Sequence, residues 1–231
     1  MTNAIIASTS ILYGEQYLEY LLPELENLFQ NCQTILFIPF ARPSGISHDD
    51  YTNKVKLAFA KINKQVIGLH EFKDLSTAIQ SSEALFTGGG NTFLLVKQLH
   101  DLGLMQILSK TIKSGIPYLG CSAGSNITGV SMQTTNDMPI VYPSSFEALG
   151  IIPFNLNPHY LDPDANSNHN GETRETRIKE FHAFNETPVI GLREGSWLEV
   201  IGNKITLKGN LAARFFEQNR KAVELKSGYE F

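Results

Sequence analysis

Cysteine is nearly missing: Cys32 and Cys121 are the only two in 231 residues. Two thiols cannot make a disulfide framework, and no Cys/His set has zinc-ligand spacing, so neither a cross-linked secreted scaffold nor a metal domain is indicated. No metal and no cofactor are expected. A basic excess is missing as well. The chain has 19 Lys and Arg against 23 Asp and Glu, a net charge of -4. No positive field is available to neutralise phosphates, which argues against nucleic acid as a partner. No apolar stretch reaches membrane-spanning length, so no membrane partner is expected. The segment Met1–Ser10 has no positive region and only a short apolar run. It does not read as a secretory signal, and with reduced thiols a cytoplasmic location is expected. Internal repeats and low-complexity linkers are missing too, so one domain over residues 1–231 is expected.

What remains is an ordinary globular balance, 42% hydrophobic and 18% charged. Short apolar segments alternate with amphipathic ones. Strands are expected at Ala4–Ser8, Thr34–Pro39, Gln65–Leu69, Glu83–Thr87 and Ile116–Leu119. Helical spacing covers Tyr17–Phe29, Asp50–Ile62, Leu75–Ser81 and Thr92–Lys113, the last interrupted near Gly103. This alternation predicts an α/β fold: a mostly parallel sheet with helices on both faces. After Ser131 the character changes to polar loops with short apolar pieces. Ile151–Leu156 reads as a strand, and Val189–Leu192, Trp197–Ile201 and Lys204–Leu207 as late strands, with Gly202-Asn203 as a hairpin turn. These late strands predict an antiparallel extension.

Gly120-Cys121-Ser122-Ala123-Gly124 follows the strand at 116–119. It is a G-x-S-x-G elbow in the strand-to-turn context that the motif needs. Such a turn lifts the Ser122 hydroxyl over the sheet edge and aims the next backbone N–H groups at the same spot. Gly88-Gly89-Gly90-Asn91-Thr92 lies between another strand and helix. Its glycines allow close backbone approach to a phosphate or an oxyanion. No lysine follows as in a nucleotide-binding loop, so beside Ser122 an oxyanion hole is the better reading. In parallel sheets both loops gather at the strands' C-terminal ends.

A serine nucleophile needs a base. Of His48, His70, His100, His159, His169 and His182, only His159 follows a strand and a fixing proline, in Asn157-Pro158-His159. His182 reads as a helix-surface residue. Two carboxylates are placed to orient the base, Asp137 and Glu194, and both stay open. Arg174 follows a polar loop and opens a helix, where its planar fork can meet a carboxylate.

Together these segments resemble serine peptidase family S51 and, within it, the α-aspartyl dipeptidases. The matching stretches are Ile38-Pro39-Phe40, Gly88–Phe93, the elbow with Asn126, Thr134-Thr135-Asn136-Asp137-Met138-Pro139, Asn157-Pro158-His159, Gly171-Glu172-Thr173-Arg174-Glu175, and Gly191-Leu192 with Glu194-Gly195 and Trp197. They are collinear and span most of the chain. The resemblance implies a fold related to class I glutamine amidotransferases and removal of an N-terminal aspartate from Asp-X dipeptides. It implies Ser122 as nucleophile, His159 as base and Asp137 or Glu194 as the third member. It further implies Gly90 and the Ala123 N–H as oxyanion hole, with Arg174 and Asn91 binding substrate. A small peptide is thus the expected partner, and the chain is expected as a monomer or homodimer. Cys121 and Ser125 stand where the family often has Trp and Ala. Three competing readings are a cyanophycinase-like peptidase acting on aspartyl-arginine material, an inactive binding domain on the same fold, and an α/β-hydrolase. The last would place its histidine late in the chain, where none can serve.

Overall fold

The computed structural model describes residues 1–163 and 171–231. Five strands are parallel: β1 (Asn3–Ala7), β2 (Thr34–Ile38), β3 (Gln65–Gly68), β4 (Ala84–Thr87) and β5 (Tyr118–Cys121). Around and between them run α1 (Leu22–Leu28), α2 (His48–Ala60), α3 (Leu75–Gln80), α4 (Thr92–Asp101), α5 (Met105–Lys113) and the short α6 (Ala123–Asn126). Then come β6 (Asn155–Pro158), α7 (Arg174–His182), β7 (Val189–Leu192), β8 (Ser196–Ile201), β9 (Lys204–Gly209), β10 (Ala213–Phe216) and β11 (Val223–Leu225). Two sheets result. The larger has the order β3-β2-β4-β5-β1-β8-β9, with β8 and β9 antiparallel; the smaller is β11-β10-β7-β6.

Period-2 alternation places the core on both faces of the large sheet. Ile5, Ala7, Ile35, Phe37, Ala84, Phe86 and Leu119 point toward α1 and α2. Their neighbours Ala4, Ile6, Leu36, Ile38, Leu85 and Tyr118 point toward α3, α4 and α5. A sheet buried on both faces needs apolar residues at nearly every position, which is what these strands carry. The expected α/β architecture with an antiparallel extension is therefore present. The Gly202-Asn203 hairpin also forms, with Ile201 opposite Lys204.

Several local expectations differ from the structure. The helical pattern over Tyr17–Phe29 yields only α1, preceded by a short 3-10 turn at Glu19–Leu21, with Leu18 in a left-handed conformation at φ 60°. Pro23 has no N–H to donate, so it sits in the first turn and the helix starts beside it. The long pattern from Thr92 splits into α4 and α5 at Gly103, φ 67°, a left-handed helix end that favours glycine. The strand expected at Ile151–Leu156 is shifted to Asn155–Pro158. His182 is buried rather than on a helix surface, its Nδ1 donating to Asn185 O at 3.0 Å. Strands β10 and β11 have no counterpart among the expected elements. Among the described residues no helix is long and apolar enough to cross a membrane.

Candidate active site

The elbow forms between β5 and α6. Ser122 has φ 56° and ψ −112°, a strained conformation for a residue with a side chain. Its N–H donates to Ala7 O at 3.2 Å, which ties the elbow to β1. The flanking glycines are required by space. A Cβ on Gly120 would lie 2.6 Å from Gly124 O, and one on Gly124 would collide with the Thr87 carbonyl. The Ser125 hydroxyl donates to Ala7 O at 2.5 Å, which gives the serine at this position a clear role in bracing the turn. Cys121, the last residue of β5, buries its side chain in the cluster on the α1–α2 face of the sheet, and burial pushes its thiol well above the usual range, so it is held as an unreactive thiol.

The Gly88–Asn91 loop lies against the elbow. A Cβ on Gly89 would stand 2.9 Å from Ser122 Cβ. Gly90 has φ 148°, and a Cβ there would run into the Ala41 carbonyl. Asn91 N donates to Ala41 O at 2.7 Å, and Gly89 N to the Tyr51 hydroxyl at 3.0 Å. The N–H groups of Gly90 and Ala123 donate to no protein group among the described residues. The Asn91 side chain is occupied at both ends: Oδ1 accepts from Leu94 N at 3.0 Å as the α4 cap, and Nδ2 donates to Met138 O at 2.9 Å.

β6 ends at Pro158, and His159 follows at φ 53°. His159 Nε2 is 2.9 Å from Ser122 Oγ, and Nδ1 is 2.6 Å from Glu194 Oε1. A carboxylate can only accept, so Nδ1 carries the proton and the Nε2 lone pair faces the serine hydroxyl. Glu194 lies in the turn between β7 and β8, with its side chain 48% exposed. The other carboxylate sits elsewhere. Asp137 Oδ2 accepts from Thr92 N at 2.7 Å, Thr92 Oγ1 at 2.6 Å and Thr135 Oγ1 at 3.1 Å, at the N-terminus of α4. There the helix dipole and three donors hold a negative charge. Of the two carboxylates read as partners of His159, the contact is made by Glu194.

Arg174 is the first residue of α7, capped by the Thr173 hydroxyl. Partial burial and Arg177 draw its guanidinium below the usual range, and the nearby Asp137 charge opposes that shift. Glu175, beside it, meets Lys179 at 2.7 Å and Arg214 at 3.0 Å. Arg214 pairs with Glu224 at 3.0 Å, and Glu224 with Arg193 at 2.9 Å. Arg193 also makes a two-pronged contact with Asp162 at 2.8 and 2.7 Å. An ion network thus runs from the neighbour of Glu194 to the neighbour of Arg174. His169 lies outside the described residues, as does the rest of its loop over 164–170. Among the described residues no three His, Cys, Asp or Glu side chains are grouped to hold a metal.

The sequence reading missed Ser8, Tyr51 and this ion network. A buried serine at a strand end and a tyrosine on a helix carry no motif. Three of its links, Arg193–Asp162, Arg193–Glu224 and Glu175–Arg214, join residues more than thirty positions apart.

The profile described as "Peptidase family S51" matches residues 4–208. The chain belongs to peptidase family S51. This peptidase is 44% identical over 226 residues to a protein of Streptomyces coelicolor named Peptidase E, covering 98% of this chain and 92% of that one. It is 45% identical to a Drosophila melanogaster protein named Probable alpha-aspartyl dipeptidase, covering 96% of this chain and 93% of that one. A crystal structure titled as a putative Peptidase E from Listeria monocytogenes shares the fold, with a TM-score of 0.68 at 22% identity over 90% of this chain and 98% of that one. So does a peptidase from an acI-B1 actinobacterium, with a TM-score of 0.73 at 16% identity over 100% of this chain and 96% of that one.

Proposed function

We propose that this peptidase is a cytoplasmic serine dipeptidase that cleaves the bond after an N-terminal aspartate in Asp-X dipeptides. The observation that carries the reading is the continuous hydrogen-bonded line Ser122–His159–Glu194. Ser122 Oγ attacks the scissile carbonyl carbon while His159 Nε2 takes its proton. The N–H groups of Gly90 and Ala123, which have no protein acceptor among the described residues, receive the oxyanion. His159 then protonates the departing amine and the C–N bond breaks, leaving an aspartyl ester on Ser122. Water, deprotonated by His159, cleaves that ester and restores the serine. Glu194 keeps the base in its Nδ1-protonated form and balances the transient imidazolium.

Arg174 receives the substrate β-carboxylate, since a two-pronged guanidinium matches its planar oxygens. Asp137 leaves Oδ1 without a partner among the described residues and lies near Arg174. It takes the substrate α-ammonium, and Asn91 supports it by holding the 138 loop in place. The similarity to a protein named Probable alpha-aspartyl dipeptidase supports this substrate class.

The test is turnover of Asp-Leu by purified protein, compared with Glu-Leu, Asn-Leu and β-Asp-Leu. Asp-Leu alone should be cleaved efficiently, and Ser122→Ala should abolish the turnover. Binding of Asp-Leu without turnover by the unmodified chain would sink the enzymatic reading.

A further inference from the structure

The three members of the line sit on three separate segments, and one residue just after β1 bonds to two of them, the backbone of His159 and the turn that bears Glu194. Ser8 is fully buried. Its hydroxyl accepts from His159 N at 2.9 Å and donates to Leu192 O at 2.7 Å. Its own N–H donates to Ser196 O at 3.1 Å. Leu192 and Ser196 lie two residues before and two residues after Glu194, so Ser8 grips the turn that bears the acid from both sides. The residue before it, Ala7, accepts the Ser122 N–H.

We infer that Ser8 is a positioning residue that sets the spacing of His159 against Glu194 through its hydroxyl. His159 holds φ 53°, which a residue with a side chain keeps only where surrounding bonds over-determine it. The Ser8 hydroxyl supplies such a bond to the His159 N–H itself. Without it, that N–H loses its acceptor and the backbone relaxes toward negative φ, which swings the imidazole off both partners. The same hydroxyl fixes Leu192 O, which also accepts from Tyr160 N at 3.1 Å, so base and acid turn as one unit. One oxygen atom thereby sets two catalytic distances, at no point touching substrate.

This inference rests on the reading of Ser122, His159 and Glu194 as the reacting line, so Ser122→Ala is measured in parallel. The test compares Ser8→Ala and Ser8→Cys with the unmodified chain. Cysteine keeps the packing in this buried site, but its thiol is a weak donor and acceptor. Both variants should fold, with KM for Asp-Leu unchanged and kcat lowered on the order of 10²-fold, the cost of displacing a reacting group by about 1 Å. The downfield proton NMR signal of the His159 Nδ1–H held on Glu194 should be lost or broadened in both. A folded variant that keeps the kcat and that signal overturns the proposal. So does a loss carried by KM alone. Failure of both variants to fold also overturns it, since the hydroxyl would then be a folding requirement. If Ser122→Ala stays active, the reacting line itself is wrong; if it is dead while the Ser8 variants remain fully active, only the role of Ser8 falls.

Discussion

Replacing Glu194 by glutamine separates charge from geometry at the acid. The Glu194 carboxylate makes one hydrogen bond among the described residues, to His159 Nδ1 at 2.6 Å. No second partner among the described residues fixes its rotation, so the amide of the Glu194→Gln variant is free to turn its oxygen toward the Nδ1–H. The imidazole tautomer therefore survives, unlike in an enclosed triad, where the equivalent change costs about 10⁴ in kcat. What is lost is attraction between the carboxylate and the imidazolium formed in the transition state. For charges about 4 Å apart this is about 1 kcal/mol in water and about 4 kcal/mol at the effective permittivity near a protein surface. The side chain is 48% exposed, so solvent screening keeps the value below the upper figure. The expected fall in kcat lies between about fivefold and about 10³-fold, with KM for Asp-Leu little changed. Steady-state kinetics on Glu194→Gln and Asp137→Asn measure it. A wild-type rate for Glu194→Gln beside a crippled kcat for Asp137→Asn would refute the assignment of the acid. A loss as large as an enclosed triad shows would refute the argument from exposure.

Asp137→Asn should raise KM for Asp-Leu more than it lowers kcat, because it weakens capture of the α-ammonium; the same kinetics report it. Arg174→Ala leaves a desolvated substrate carboxylate unpaired, a situation that typically costs about 3–5 kcal/mol. It should cut kcat/KM for Asp-Leu heavily and for Asn-Leu much less, and equal losses on the two substrates would show that another residue selects aspartate. Gly89→Ala places a methyl group 2.9 Å from Ser122 Cβ, so kcat should drop on the order of 10²-fold with the fold intact by circular dichroism. Acid stability should follow the ion network. Arg193 holds the Asp162 and Glu224 carboxyls below the usual range, Glu224 with help from Arg214, and Lys179 and Arg214 do the same for Glu175. A depressed folded-state pKa stabilises above the unfolded value of about 4 and is lost as pH falls through the folded value. The Tm difference between the unmodified protein and Arg193→Ala should therefore be full near neutral pH and shrink on acidification below about 4.

The parallel strands were legible because burial on two faces writes a continuous apolar run, as in Thr34–Ile38 and Ala84–Thr87. β6 was misplaced because two of its four buried residues, Asn155 and Asn157, are polar. Asn155 exchanges bonds with Ser131 at 2.8 and 2.9 Å, and Asn157 Nδ2 donates to Thr134 O at 2.8 Å. Amides satisfied this way are buried without looking hydrophobic, whereas the truly apolar Ile152 and Phe154 pack in irregular chain just before them. Ser122, His159 and Glu194 were each visible, since each follows a strand end. The choice between Asp137 and Glu194 was not. It depends on how two sheets meet, and no local pattern encodes that. Ser8 was hidden for the opposite reason: the partners of its hydroxyl lie 151 and 184 residues away.

Glu194 sits where the chain leaves the small sheet for the large one, between β7 and β8. Ser122 belongs to the large sheet, and His159 to the end of a strand of the small one. The reacting line is thus assembled across a seam, from pieces that acquire their shape in different parts of the molecule. A chain whose first 126 residues have already folded holds the proposed nucleophile and the glycine loop, yet lacks the proposed base. On the proposed mechanism, hydrolysis waits for the last join. If Ser122, His159 and Glu194 act as proposed, recovery of turnover during refolding should lag behind recovery of helical signal.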